Sequence, residues 1–230
     1  MTFSYFITAE NKFDPTLRLD SSTISQVANS VGMTPGLRRA ELYTPAEVET
    51  YHRDGSGPML ALRLEFDSLS ELESQITHGG YLHEEFCSAR WFANQGVRVS
   101  HQAMLMRNFL QMHESNSEKD ICSYLVHYPG GASNLNDWLR YYLRNHPKIM
   151  REYPSVLQIN VFTRIDWCDD MAWERVDYMQ RNMLSFPSPN ALLAALDSPV
   201  RKKMRADAEN FPIFHGGSVH YPMMTRVVTP

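Results

Sequence analysis

The strongest constraint on this chain is that it says the same thing twice. Ser4–Phe6 (SYF) returns as Ser123–Leu125 (SYL), and Glu41–Thr44 (ELYT) returns as Asn160–Thr163 (NVFT). Pro35, His101 and Arg107 return as Pro154, His220 and Arg226, all at a spacing of 119. Leu62–Ser68 (LRLEFDS) matches Asn182–Ser188 (NMLSFPS) at 120, the drift that a one-residue loop insertion produces. A constant offset across four strand-like stretches implies two copies of one structural unit, 1–110 and 120–230, joined through the polar run HESNSEKD near 111–119.

Hydrophobic periodicity gives the content of the unit. In the first copy, Thr2–Ala9, Leu37–Thr44, Pro58–Phe66 and Val97–Arg107 alternate or are rich in β-branched and aromatic residues and predict strands. Asp20–Val31 predicts a helix that stops at Gly32, and Ser68 with Glu71 three residues on forms a capping box for a helix through Ile76. Pro45–Gly57 reads as a loop, and Leu82–Asn94 as a further helical stretch after Gly79-Gly80. The order β-α-β-β-α-β is the ferredoxin-like arrangement. The expected class is therefore α+β: two tandem ferredoxin-like units whose antiparallel sheets face each other as an α+β barrel.

Strand alternation predicts which residues face the barrel interior. Gln158, Asn160 and Phe162 point inward from one strand; Ser123, Leu125 and His127 from another; Arg181, Met183 and Ser185 from a third. This set is more polar than a core needs, and the pocket is expected there. The stretch Trp138–Thr163 is the expected focus, because an aromatic-rich helix carrying His146 stops at Asn-His-Pro and is followed by one of these strands.

Composition excludes several classes. With 43% hydrophobic residues in 230 and a net charge of −4, the chain has material for a buried core and no basic stripe for nucleic acid; RKKMR at 201–205 reads as one exposed helical face. No window approaches 18 consecutive apolar residues, and the first residues lack a secretory pattern, so a cytoplasmic protein that neither spans nor binds a membrane is expected. Cys87, Cys122 and Cys168 lack C-x-x-C spacing and are expected as free thiols. Glycine-rich nucleotide loops and a G-x-S-x-G elbow are absent. No H-x-H or H-x-x-x-H pair suggests a metal.

LRYYLRNHPKIMREYPSVLQINVF at 139–162 resembles the helix-and-strand signature of EthD-like proteins in the dimeric α+β barrel superfamily: a Tyr-rich helix, His then Pro, then Pro and a strand. FPSPNALLAALDSPVRKKMRADAENF at 186–211, with its Asp207-x-x-x-Phe211 end, is similar to that family's second helix. The resemblance covers most of 121–227; the first unit shares strand positions and FDSLSEL, with Val27 where the offset places His146. It implies a barrel pocket for small organic molecules, often aromatic or polyketide-like; because His127 and His146 lie in the second unit, that unit is expected to line the site and the first to act as scaffold. Some tandem α+β barrels bind haem through a histidine, but this chain has no haem attachment motif, and no cofactor is expected.

The candidate chemistry is acid/base. His146 at a helix end could move a proton near neutrality, with His127 as its inward partner and Arg181 or Asn160 stabilising an oxyanion. Arg181 could equally form a salt bridge with Glu65 or another acid. Gln158, Phe162, Tyr141, Tyr142 and His220 are the candidate binding walls; Tyr141 and Tyr142 suit a helix core as well as a ligand platform, and His220, like His101, suits a structural hydrogen bond. The expectation is a cofactor-free lyase or isomerase acting on an enolisable or aromatic-derived molecule. A non-catalytic binding protein and a cofactor-free monooxygenase are the alternatives, and further homodimerisation is left open.

Overall fold

The computed structural model describes residues 2–48, 50, 54–55, 57–87, 96–111 and 121–230. The linker at 112–120 and the part of the third predicted helix beyond Cys87 lie outside them. The first half runs β1 (Thr2–Asn11), α1 (Ser21–Gly32), β2 (Arg39–Pro45), β3 (Leu60–Phe66), α2 (Leu69–Ile76), α3 (Tyr81–Cys87) and β4 (Val97–Gln111). The second runs β5 (Cys122–Tyr128), α4 (Leu135–Met150), β6 (Gln158–Arg164), β7 (Glu174–Arg175), β8 (Gln180–Phe186), α5 (Pro189–Leu196), α6 (Val200–Ala208) and β9 (Val219–Val228).

The helices start where the chain supplies an acceptor for their first free N–H groups. Asp20 accepts from the Thr23 amide, Ser188 from Ala191 and Asn134 from Asp137, and Ser68 and Glu71 form the reciprocal capping box. In the first half Gly80 breaks the second helical stretch, because a Cβ there would sit 2.3 Å from the Ser74 carbonyl oxygen. In the second half Ser198-Pro199 breaks it between α5 and α6.

The strands form one closed antiparallel barrel of eight, with β7 a two-residue parallel addition beside β4. Within the first half the order is β4-β1-β3-β2, and within the second β9-β5-β8-β6, the same course in each. The expected facing sheets are thus also hydrogen-bonded at both edges. β2 pairs with β9 from Ala40↔Val228 to Pro45↔Met223; β4 pairs with β6 from Met104↔Arg164 to Gln111↔Gln158, with a bulge between Asn108 and Leu110.

Alternation divides the side chains as expected. Tyr5, Ile7, Leu62 and Leu64 pack under the first half's helices, and Tyr124, Val126, Ile159, Val161 and Leu184 under those of the second. Phe6, Tyr43, Ala61, Met104, Leu125, Phe162, Met183 and Met223 fill the barrel interior. Charged groups complete it: the Arg63 guanidinium pairs with Glu41 at 2.9 Å and Glu65 at 3.2 Å, and the Tyr43 hydroxyl donates to Glu41. The interior expected to form the pocket is lined by these packed side chains, as suits a barrel of eight strands, and the cavity described below lies outside it.

Candidate active site under the second half's helices

A cavity of about 420 Å³ lies outside the barrel, between the outer face of the second half's sheet and the helices above it. Tyr124 and Val126 of β5 and Asn182 and Leu184 of β8 form its floor; Tyr142 and His146 of α4, Arg201 and Arg205 of α6, Phe211 and Phe214 after α6, and His220 of β9 form its walls.

His146 does not terminate its helix. α4 continues through Pro147 to Met150, because His146, Pro147 and Met150 are all buried and their packing outweighs the hydrogen bond that proline cannot donate. The imidazole is 5% exposed and its Nδ1 lies 2.7 Å from Asp207 Oδ2 at the end of α6. The other oxygen of Asp207 accepts from the Tyr141 hydroxyl at 2.9 Å. Asp207 therefore holds Nδ1–H, and Nε2, without a hydrogen bond among the described residues, is the atom the ring offers to the cavity. Burial lowers the pKa of His146, and Asp207 opposes that shift without cancelling it. The rings of Tyr142 and Phe211 pack against the imidazole at 4.7 and 4.9 Å.

A second histidine lines the same cavity with the same kind of support. His220 Nδ1 lies 2.9 Å from Asp54 Oδ2, and its ring stacks on Tyr124 at 5.6 Å. Burial lowers its pKa against the pull of Asp54. Tyr142 accepts from the Asn182 side-chain amide at 2.5 Å, and its hydroxyl also lies 3.5 Å from that of Tyr128. Burial, the largest cause, raises the Tyr142 pKa well above the ordinary phenol value and keeps it protonated.

The remaining predicted residues are elsewhere. His127 and Arg181 face the barrel interior, on the opposite side of the sheet from His146, so the expected His146–His127–Arg181 site does not assemble. The reason is parity: Tyr124 and Val126 share the cavity face of β5, whereas His127 takes the other. Burial, then the Arg181 charge, holds the His127 pKa well below the usual histidine value. Asn160 and Phe162 are fully buried in the interior, the latter against Phe6 at 4.9 Å. Gln158 is half-buried at the β4 edge, paired with Gln111. Tyr141 acts on Asp207 and not on the cavity, while Tyr142 and His220 do line it. Arg181 forms no ion pair with Glu65, which is taken by Arg63. Asp207, Asp54, Tyr124 and Asn182 were not singled out as site residues; only the Asp207-x-x-x-Phe211 pattern pointed toward one of them.

The matching face of the first half is covered among the described residues. The segment 165–175, between β6 and β8, crosses over to it and packs Trp167, Met171 and Trp173 into that core. His101 there bonds the Tyr5 hydroxyl at 2.6 Å and lies edge-on to Trp167 and Trp173. The Tyr/His pair of the cavity, Tyr124 and His220, thus has a counterpart that is covered.

This architecture defines a fold class, an α+β barrel closed by strands from both halves of one chain. It is similar to the crystal structure of an anthrone oxidase-like protein (TM-score 0.63, 10% identity, 98% of this chain and 92% of that chain). It is also similar to a candidate monooxygenase from Fusobacterium nucleatum subsp. nucleatum (TM-score 0.59, 8% identity, 99% and 94%) and to a chlorite dismutase from Candidatus Nitrospira defluvii (TM-score 0.54, 10% identity, 96% and 90%). No protein-family model and no curated protein sequence matches the chain.

Proposed function

We propose that the protein is an enzyme of small-molecule metabolism in which His146, oriented by Asp207, removes a proton from an enolisable or phenolic aromatic-derived substrate held in the cavity of the second half. The observation that carries this reading is the anchored imidazole: Nδ1 fixed on a buried carboxylate and Nε2 left for the cavity. A neutral imidazole so held is a general base. The Tyr142 hydroxyl, positioned by Asn182, stabilises the oxyanion that forms, and the His146 imidazolium returns the proton it took at a second position, while His220, anchored on Asp54, forms the facing polar wall. The outcome is isomerisation or elimination with no cofactor. The EthD-like resemblance of 121–227 supports this placement, as does the covered face of the first half, which acts as scaffold.

The test is hydrogen exchange. Anthrone and related phenolic ketones, incubated with the protein in D2O, should gain deuterium at the acidic carbon by mass spectrometry, and His146→Gln should abolish the gain. Failure of all such probes to exchange faster than buffer would reject the base role.

Two likenesses favour further outcomes at the same residue. The oxidase-like and monooxygenase-like structural neighbours support a variant in which dioxygen captures the carbanion; substrate-dependent oxygen uptake would decide for it. The resemblance to tandem α+β barrels, some of which bind haem through a histidine, supports haem, because an imidazole bonded through Nδ1 to a carboxylate is also the form that ligates metal. His146 would then hold the iron and Arg201 and Arg205 the acidic edge, and haem would supply oxidation–reduction chemistry. A haemin spectrum altered by the wild type and unaltered by His146→Gln would favour that form.

A further inference from the structure

The barrel interior contains two buried arginines, and the chain treats them differently. Arg63 is 1% exposed and its charge is met in place by Glu41 and Glu65. Arg181 is 2% exposed and has no carboxylate within ion-pairing distance among the described residues. Its Nη1 lies 3.4 Å from His127 Nε2, its Nη2 lies 3.5 Å from Gln102 Oε1, and its Nε has no partner among the described residues. Both contacts are at the long limit of a hydrogen bond. Its planar group is packed against the rings of Phe6 at 4.9 Å and Tyr178 at 4.5 Å.

None of these neighbours supplies a negative charge. His127 is kept neutral by its burial and by Arg181 itself, and Glu10, whose field reaches Arg181, is outside ion-pairing distance. A buried cation without counter-charge is strongly unfavourable. In a barrel that devotes two carboxylates to one arginine, the second is incomplete as it stands. Its surroundings also lead outward: Tyr178 and Tyr221 are half-buried, and both rings contact His127.

We propose that Arg181 is the seat of a small carboxylate anion, bound at the end of the barrel marked by Gln102, His127, Tyr178 and Tyr221 and separate from the cavity beneath α4. The carboxylate replaces the two long contacts with a forked pair of charge-assisted bonds and occupies the idle Nε. Phe6 and Tyr178 keep the guanidinium plane fixed for it.

Acetate is the probe, with sodium chloride at equal ionic strength as the reference. Acetate should raise the wild-type melting temperature saturably, by about 5 °C. His146→Gln should keep the response, which separates this site from the catalytic one. Arg181→Met should lose it, and without acetate should melt no lower than the wild type, because the uncompensated charge has gone. The proposal is overturned if acetate acts no differently from chloride, if Arg181→Met still responds, or if that variant is strongly destabilised in acetate-free buffer. Should Arg181→Met fail to fold in either buffer, titration of the wild type with 13C-labelled acetate decides alone: saturable line broadening supports the site, and its absence refutes it.

Discussion

At the scale of the residue, the proposed chemistry turns on one proton and the carboxylate that places it. Asp207 raises the affinity of His146 for a proton while burial lowers it more, so the base is unprotonated at neutral pH. Activity should therefore be flat above pH 6.5 and fall as the pH drops through a value below it. Asp207→Asn withdraws the charge that raises this value, so the acid limb should move to still lower pH while kcat falls by about 10²-fold or more through loss of the correct tautomer. A pH profile of the exchange reaction reads both effects; an unmoved limb would show that Asp207 is a packing contact. His146→Gln should cost about 10²-fold in turnover with little change in melting temperature. His101 gives a prediction of the other kind. Its pKa is about 4 in the fold, lowered first by burial, against 6.5 when exposed. Between these values the unfolded chain binds a proton that the native state refuses, so this contribution to stability is complete above pH 6.5 and is lost as the pH falls toward 4. Urea melts across that range should show the slope, and His101→Gln should reduce it, the remainder coming from His127, His146 and His220, whose pKa values burial also lowers.

At the scale of the element, α4 is held to the sheet by its aromatic face. Trp138 is fully buried among Tyr128, Tyr142, Phe211 and Phe214, and its indole N–H has no acceptor among the described residues. Trp138→Ala should lose about 3–5 kcal/mol in denaturant unfolding. Trp138→Phe should lose far less, because it removes an unsatisfied donor along with part of the ring. A loss equal to that of Ala would mean that the indole nitrogen is bonded after all. The strands were legible in the sequence because a period of two assigns each side chain to a face, and Leu125, Met183 and Phe162 went where alternation sent them. What alternation does not reveal is which face keeps room for a ligand. That depends on how far α4 and α6 stand from Tyr124 and Leu184, a matter of helix packing that no local pattern encodes. The sequence draws attention to His146 by its place on an aromatic helix, but its partner Asp207 is 61 residues away and joins it only when α6 lies across α4. Pro147 was read as a stop because proline usually is one; here burial on both sides carries the helix past it.

At the scale of the molecule, the two seams make the halves interdependent. The β2–β9 and β4–β6 pairings close the barrel, and its interior cluster takes Phe6 and Tyr43 from one half and Leu125 and Phe162 from the other. Calorimetry should accordingly give a single transition, coincident with loss of near- and far-ultraviolet circular dichroism; two resolved transitions would mean that each half keeps a core of its own. The crossing segment 165–175 has a different consequence. By lodging Trp167 and Trp173 over the Tyr5/His101 pair it acts as a built-in stopper, so the chain holds a vacant room on one side of its pseudo-twofold and a furnished one on the other. Removing the furniture should make the room rentable: Trp173→Ala should lower the melting temperature and acquire an affinity for indole that restores part of it, whereas the wild type should ignore indole at that address.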